Sequence, residues 1–205
     1  GVPGYRVLSA AMHPIALRRS SLGVSMLEVL IAIGLLTVGL LGVAQLQFQM
    51  QTAELEAYQR TQAIVLLQDM VDRINANRKN AADYATAAPL GTASTVDCSA
   101  PATLAQRDLC DWHAALLGSN ETRGGSQLGA MTGARGCVSN PVTTMPRQVI
   151  VSVAWQGVSP TAAPGATNCG QGAYGNDDRF RRALVASVTI GCLQNNPTSG
   201  ACVTP

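Results

Sequence analysis

The chain has 205 residues and a formal net charge of +2, with few aromatic residues and many glycines. That length suits one domain with appendages. Residues 1–23 carry Arg6, Arg18 and Arg19 and no acid, so the remainder holds 11 of the 14 basic residues against all 12 acidic ones. The basic excess belongs to the N-terminal stretch, and charge gives no nucleic-acid-binding surface.

That basic stretch is the first element. It ends in Arg18-Arg19-Ser20-Ser21-Leu22-Gly23 and leads straight into an apolar run. From Val29 to Ala53 no residue is charged. A helix of that length spans about 37 Å, enough to cross a hydrocarbon core. One carboxylate, Glu28, stands near the start of the run. The leader arginines are expected to stay in the cytoplasm, which puts everything from Glu54 onward outside that membrane. A secretory signal would be cut after the apolar run, and Gly42-Val43-Ala44 is a weak site for that cut.

Beyond Gln47 the pattern turns amphipathic. Ala53, Ala57, Tyr58, Thr61, Ile64, Leu67, Val71 and Ile74 recur at steps of three and four. No proline occurs between Pro14 and Pro89. One helix is therefore expected from Val24 to about Arg78, roughly 80 Å long. Its 24–50 half is apolar all round, and its 51–78 half has one packing face.

Residues 79–205 form the globular part, enough for a small core. Ser94–Ala102 reads as loop. Thr103–Leu117 predicts a short helix with Ala105, Leu109, Trp112 and Leu116 on one face, and Trp112 as a core residue. Gly118–Gly136 is glycine-rich without apolar periodicity, a loop with room for one short strand. Gln148–Gln156 alternates Val149, Val151 and Val153 against Ile150, Ser152 and Ala154, a strand pattern. Leu184–Ile190 is a second strand, and Arg135–Ser139 an earlier one. A sheet laid over Ile64, Leu67, Val71 and Ile74 gives an α+β fold, a long N-terminal helix on a small antiparallel sheet.

Cys98, Cys110, Cys137, Cys169, Cys192 and Cys202 all follow the apolar segment. An even set in a Gly-, Pro-, Ser- and Thr-rich region implies disulfides in an oxidising compartment. This agrees with the orientation read from charge. The nearest-neighbour pairing is expected: Cys98–Cys110, Cys137–Cys169 and Cys192–Cys202. Cys110 with His113 makes a poor metal or nucleophile pair, since no CxxC and no second such pair exist; the other histidine, His13, is in the leader. Asp177-Asp178 reads as a solvated turn, because a hard cation needs six or more oxygens. The glycine-rich loop lacks the Lys-Ser/Thr ending of a phosphate loop. No enzyme activity and no cofactor are expected.

Gly23-Val24-Ser25-Met26-Leu27-Glu28-Val29-Leu30 resembles the class III signal of type IV pilins and type II secretion pseudopilins. The resemblance implies that a prepilin peptidase cuts after Gly23 and methylates the new amine of Val24, where the family more commonly has Phe. It implies that the apolar segment is first a membrane anchor and then a filament core. It also implies that Glu28 meets the N-terminal amine of an adjacent subunit, which would offset the cost of a carboxylate near hydrocarbon. A start at Met12 would give the short leader Met-His-Pro-Ile-Ala-Leu-Arg-Arg-Ser-Ser-Leu-Gly; Gly1 and Met12 both remain open as the start.

"LLQDMVDRINANRKNAADY" (Leu66 to Tyr84) is similar to the minor pilins called PilV, the type IV pilus modification proteins. "RDLCDWHAALL", "RQVIVSVAWQG" and "RRALVASVTIGC" extend the likeness in order. The stretch from Val158 to Asp178 and the six-cysteine set are less standard. The resemblance implies a minor pilin in the inner membrane, then in a pilus or at the cell surface. Its expected partners are other minor pilins, the major pilin, the prepilin peptidase and an inner-membrane assembly platform. The alternatives are a minor pseudopilin of type II secretion and an adhesive tip module whose contact surface is loop 118–136 or 158–178.

Overall fold

The computed structural model describes residues 23, 25–119, 122–123, 126–127, 131–144, 146–192, 194–195 and 202–203. The chain divides into two compact units, Gly1–Gln47 and Phe48–Pro205.

The described part of the first unit is the beginning of helix α1 (Met26–Ala76). Ser25 caps it. Its Oγ accepts from the Leu27 N–H at 3.3 Å, and its carbonyl accepts from the N–H groups of Glu28 and Val29. Every residue from Met26 to Gln47 is exposed. α1 contains an 18-residue window of mean hydropathy 2.4, long and apolar enough to cross a membrane. A soluble monomer rarely leaves so large an apolar surface open to water.

In the second unit, α1 continues to Ala76. Asn77 leaves helical geometry (φ −114°, ψ 43°), and a 3-10 helix follows over Arg78–Tyr84. Then come β1 (Leu90–Gly91), α2 (Leu104–Leu116), β2 (Thr122–Arg123), β3 (Ser126–Gln127), β4 (Arg135–Val142), β5 (Arg147–Gln156), β6 (Arg181–Ile190), β7 (Gln194–Asn195) and β8 (Cys202–Val203). The main sheet is antiparallel with order β1-β4-β5-β6, while β2-β3 and β7-β8 form separate pairs. This is the expected pilin-like α+β architecture.

α2 starts where a capping box dictates. The Thr103 side chain accepts from the Gln106 N–H at 3.2 Å, and Gln106 Oε1 accepts from the N–H of Thr103 and Ala102. Orphan donors at the helix start are thereby satisfied. Ala105, Trp112 and Leu116 are buried, with Leu109 packed beside them.

The core lies between one face of the sheet and the two helices. It joins Ala63, Met70 and Ile74 of α1 to Trp112 of α2 and to Val138, Val149, Val151, Val153, Val188 and Ile190 of the sheet. The α1 face overlaps the expected one in part: Ile74 is buried, and Leu67 and Val71 pack against the core. Ile64 is 51% exposed, and Ala53, Ala57, Tyr58 and Thr61 are exposed as well. Ala63-Ile64 and Leu66-Leu67 are adjacent apolar residues, so the sequence offers two neighbouring stripes about 100° apart. Packing centres on Ala63, Met70 and Ile74, with Leu67 and Val71 at its edge and Ile64 left out.

The second face of the sheet is not left open. Residues 157–180, which include the loop expected over 158–178, fold back over it. Cys169 and Tyr174 pack on Ala154, with Cys137, Phe180 and Ala183 beside them. Ser152 is buried there too. This explains why every residue from Val151 to Trp155 is buried although the strand alternates. β5 is central, with both faces covered.

Candidate assembly site

The residues singled out at the N-terminus lie in the first unit. Gly23 is exposed with nothing within 4 Å of a Cβ built on it. Val24 lies outside the described residues. Glu28 is an exposed acid in the first turn of α1, where the helix dipole favours negative charge. It has no ion-pair partner among the described residues.

The cysteines lie in the second unit. Cys98 is bonded to Cys110, which ties the loop before α2 to the helix itself. Cys137 is bonded to Cys169, which ties β4 to the covering segment 157–180. Cys192 is disulfide-bonded; the Cys202 side chain lies outside the described residues. Cys110 is therefore no thiolate for a metal or a nucleophile. Nδ1 of His113 is also engaged, accepting the Gly91 N–H at 3.0 Å.

Between α1 and α2 sits a polar clamp that the periodicity did not reveal. Arg73 Nε donates to Asp69 at 3.0 Å, and its Nη1 donates to Asp108 at 3.1 Å and to Asp111 at 3.4 Å. The Tyr84 hydroxyl donates to the other oxygen of Asp108, and Asn77 Nδ2 donates to the Tyr84 oxygen at 3.2 Å. Trp112 Nε1 donates to the Leu66 carbonyl at 2.8 Å. Burial and the Asp108 hydrogen bond push the Tyr84 phenol up to about 12. The Asp69–Arg73 pair has i,i+4 spacing, the one local signal of the clamp in the sequence. Asp108 and Tyr84 join it only through the tertiary fold.

The clamp therefore unites the two quoted stretches, Leu66–Tyr84 and Arg107–Leu117. One guanidinium holds the first helix to the second, and the phenol pins the 3-10 turn that ends α1. Residues 45–115 match the family model described as Tt1218-like, type IV pilin Tt1218. The matched segment begins as the apolar run gives out and stops in the last turn of α2, so it contains the whole clamp. It supports a type IV pilin. No curated protein and no solved structure matches the chain.

Two further polar sites shape the surface. Arg182 Nη2 and the Ser159 N–H and hydroxyl all donate to Oε1 of Glu56, at 3.2, 3.3 and 3.2 Å. Burial pulls the Glu56 carboxyl up, but these donors outweigh it and hold the group below its ordinary value. Arg181 is 3% exposed. Its Nε donates to Asp178 at 3.2 Å, Nη1 to the carbonyls of Thr167 and Cys169, and Nη2 to that of Pro164. Asp178, expected in a solvated turn, is thus a partly buried ion-pair partner, and its Oδ1 also accepts the Gly172 N–H. A buried charge needs such partners. Arg181 gathers the covering segment around itself, and no local pattern announces it.

Proposed function

We propose that this chain is a minor pilin of the PilV type that acts in initiation, assembly or the tip of a type IV pilus, and so in twitching motility and adhesion. The observation that carries the reading is the clamp. The residues of the two PilV-like stretches meet in space around Arg73, inside the segment that matches a type IV pilin family. The clamp follows a fully exposed apolar helix with one carboxylate near its start.

In this reading residues 1–23 are a leader cut after Gly23, and Val24 carries the methylated amine. Residues 24–50 anchor the chain in the inner membrane, with the leader cytoplasmic, and later enter the filament core. Residues 51–78 and 79–205 stay outside. Glu28 supplies the charge that an adjacent subunit's amine satisfies. The partners are other minor pilins, the major pilin, the prepilin peptidase and the assembly platform.

A deletion strain carrying wild-type or Glu28→Ala protein tests this. Surface pili and twitching are measured beside exoprotein secretion. Pili lost in the deletion strain and not restored by Glu28→Ala, with secretion intact, is the expected result. Secretion lost with pili intact would move the chain to a type II secretion machine.

A further inference from the structure

One groove of the second unit lies just past the point where the charge-free stretch of α1 ends. It holds about 280 Å³ and is lined by Glu56, Ala57, Arg60, Trp155 and Arg182. Two of its charges cancel, since Arg182 Nη2 donates to Glu56 at 3.2 Å. Arg60 is exposed, and its guanidinium has no ion-pair or hydrogen-bond partner among the described residues. The groove therefore keeps one uncompensated positive charge. The Ser159 N–H and hydroxyl donate to the same Glu56 carboxylate, which sets the exposed Val158 and Pro160 at the level of the groove. Val158 is 45% exposed, and on α1 itself Leu55 and Tyr58 are 54% and 48% exposed.

Helix geometry sets the depth of these groups. Residues 29–53, which carry no charge, span about 37 Å as a helix. A hydrocarbon core is about 30 Å thick, and the headgroup layer adds roughly 5–7 Å on each side. Centred on that core, an upright helix overruns it by about 3.5 Å at each end, so Ala53 lies just inside the headgroup layer. Residues 54–57 follow at about 1.5 Å each and fall within the same layer. Arg60 is about 10 Å beyond Ala53. Side chains on an α-helix lean toward its N-terminus, so the guanidinium reaches back toward the headgroups. Tyr58 leans the same way, and an aromatic ring with a polar tip suits a membrane interface.

We infer that the second unit docks on the bilayer surface by this end, with the phosphate of a phospholipid headgroup seated in the groove against Arg60. The inference rests on the reading of residues 24–50 as an anchor and goes beyond it, because it assigns a lipid-binding surface to the folded domain. Three observations select the bilayer as the occupant. The groove continues along α1 from the stretch that can cross a membrane, and it lies at headgroup depth. Its one free charge complements a phosphate, to which a guanidinium can give two parallel hydrogen bonds. The exposed groups around it, Leu55, Tyr58 and Val158, are apolar or amphipathic, which suits a partner with acyl chains beneath its phosphates. The acids nearby do not oppose the contact. Glu56 is already held by Arg182 and Ser159, and Glu54 leaves α1 about 200° round the axis from Glu56. Docking fixes how the second unit stands on the membrane, and the contact must be released when the chain leaves the bilayer.

The test uses the purified full chain in nanodiscs of mixed phosphatidylethanolamine and phosphatidylglycerol, with a nitroxide quencher on a fraction of the headgroups. A fluorophore is placed on Val158→Cys, and as a control on Asn75→Cys, an exposed site about 33 Å beyond Ala53 along α1. Strong quenching is expected at position 158 and little at position 75. Arg60→Glu should lower the quenching at 158 severalfold, and Arg60→Lys should keep most of it. Arg60 is exposed and unpartnered, so both variants should melt like the wild type. Quenching that is absent at 158, or unchanged by Arg60→Glu, would overturn the proposal, the second because the tether alone then explains it. The Arg60 Nε NMR signal should shift in the nanodiscs and stay in place when inorganic phosphate is added to the chain in maltoside micelles. The same shift with inorganic phosphate would make the groove a free-anion site and overturn the membrane contact. Quenching that appears only after other pilins are added would assign the groove to a protein and overturn it too. None of these results touches the pilin reading, which is judged by surface pili in the deletion strain. Failure of the anchor reading shows separately, as a chain that does not stay with the nanodiscs.

Discussion

The indole of Trp112 donates to the carbonyl of Leu66 at 2.8 Å, while the far edge of the same ring lies against Gly136 of β4. One side chain thus joins α1, α2 and the sheet. A Cβ on Gly136 would collide with the Trp112 ring and with Leu116. Gly136→Ala is expected to destabilise the protein by about 1–3 kcal/mol through overpacking. Trp112→Phe shortens the ring and removes the hydrogen bond, at about 1–3 kcal/mol. The two changes should couple, because the smaller ring makes room for the added methyl. Thermal melts of both singles and the double, in detergent, check this. Strict additivity would show that the ring does not rest on Gly136.

Tyr84 predicts an alkaline limit. Burial, helped by its hydrogen bond to Asp108, raises its pKa from 10.0 to about 12. The folded state keeps the proton where the unfolded chain loses it. The contribution is whole below pH 10 and is lost as the pH rises toward 12. Wild-type stability should therefore fall across that window more steeply than that of Tyr84→Phe. Parallel pH profiles for the two proteins would refute this role for the phenol.

Sequence periodicity read the elements well where one face packs and the other is wet. α2 follows its apolar spacing and its capping box, β5 and β6 lie where alternation put strands, and β4 covers the earlier strand expected over Arg135–Ser139. The α1 stripe was ambiguous, since Ala63-Ile64 and Leu66-Leu67 give two overlapping helical faces and only the facing sheet selects one. β5 hid its second buried face because Ser152 and Ala154 are small and look solvent-facing in sequence. What covers them is a segment held by Arg181, and a charged residue is a poor core marker on burial statistics alone. The clamp was legible as a motif but not as a structure: Arg73, Tyr84 and Asp108 are brought together by packing, and only Asp69–Arg73 is a local pair. Glu28 is exposed near the start of α1, so burial within the chain does not mark it.

His113 predicts an acid limit. Its Nδ1 accepts the Gly91 N–H, at a glycine held at φ +90° beside Ala134. Burial lowers its pKa below 6.5, so the folded state prefers the neutral ring. The unfolded chain binds the extra proton first, and stability is lost as the pH falls below about 6.5. Protonation also turns the acceptor into a donor facing another donor. The melting temperature of the wild type should drop between about pH 7 and pH 5. His113→Asn, which keeps an acceptor without the titration, should flatten that component. An unchanged slope would assign the acid sensitivity to the carboxylates.

Arg181 predicts a local opening rather than a global loss. Its guanidinium serves Asp178 and three carbonyls of the covering segment. Lysine keeps the charge but presents a single ammonium, which cannot reproduce the planar fork. Arg181→Lys should cost about 2–3 kcal/mol, in the range for hydrogen bonds to a buried charge. The loss should concentrate in residues 157–180, because Cys137–Cys169 still tethers that segment while the helix clamp around Arg73 is untouched. Hydrogen exchange followed by residue should show faster exchange at 157–180 and at the Ser152–Ala154 face it covers. Protection in α1 and α2 should stay near the wild-type level. Uniform loss of protection across the second unit would mean that the segment and the helix layer unfold as one, and that Arg181 supports the whole core.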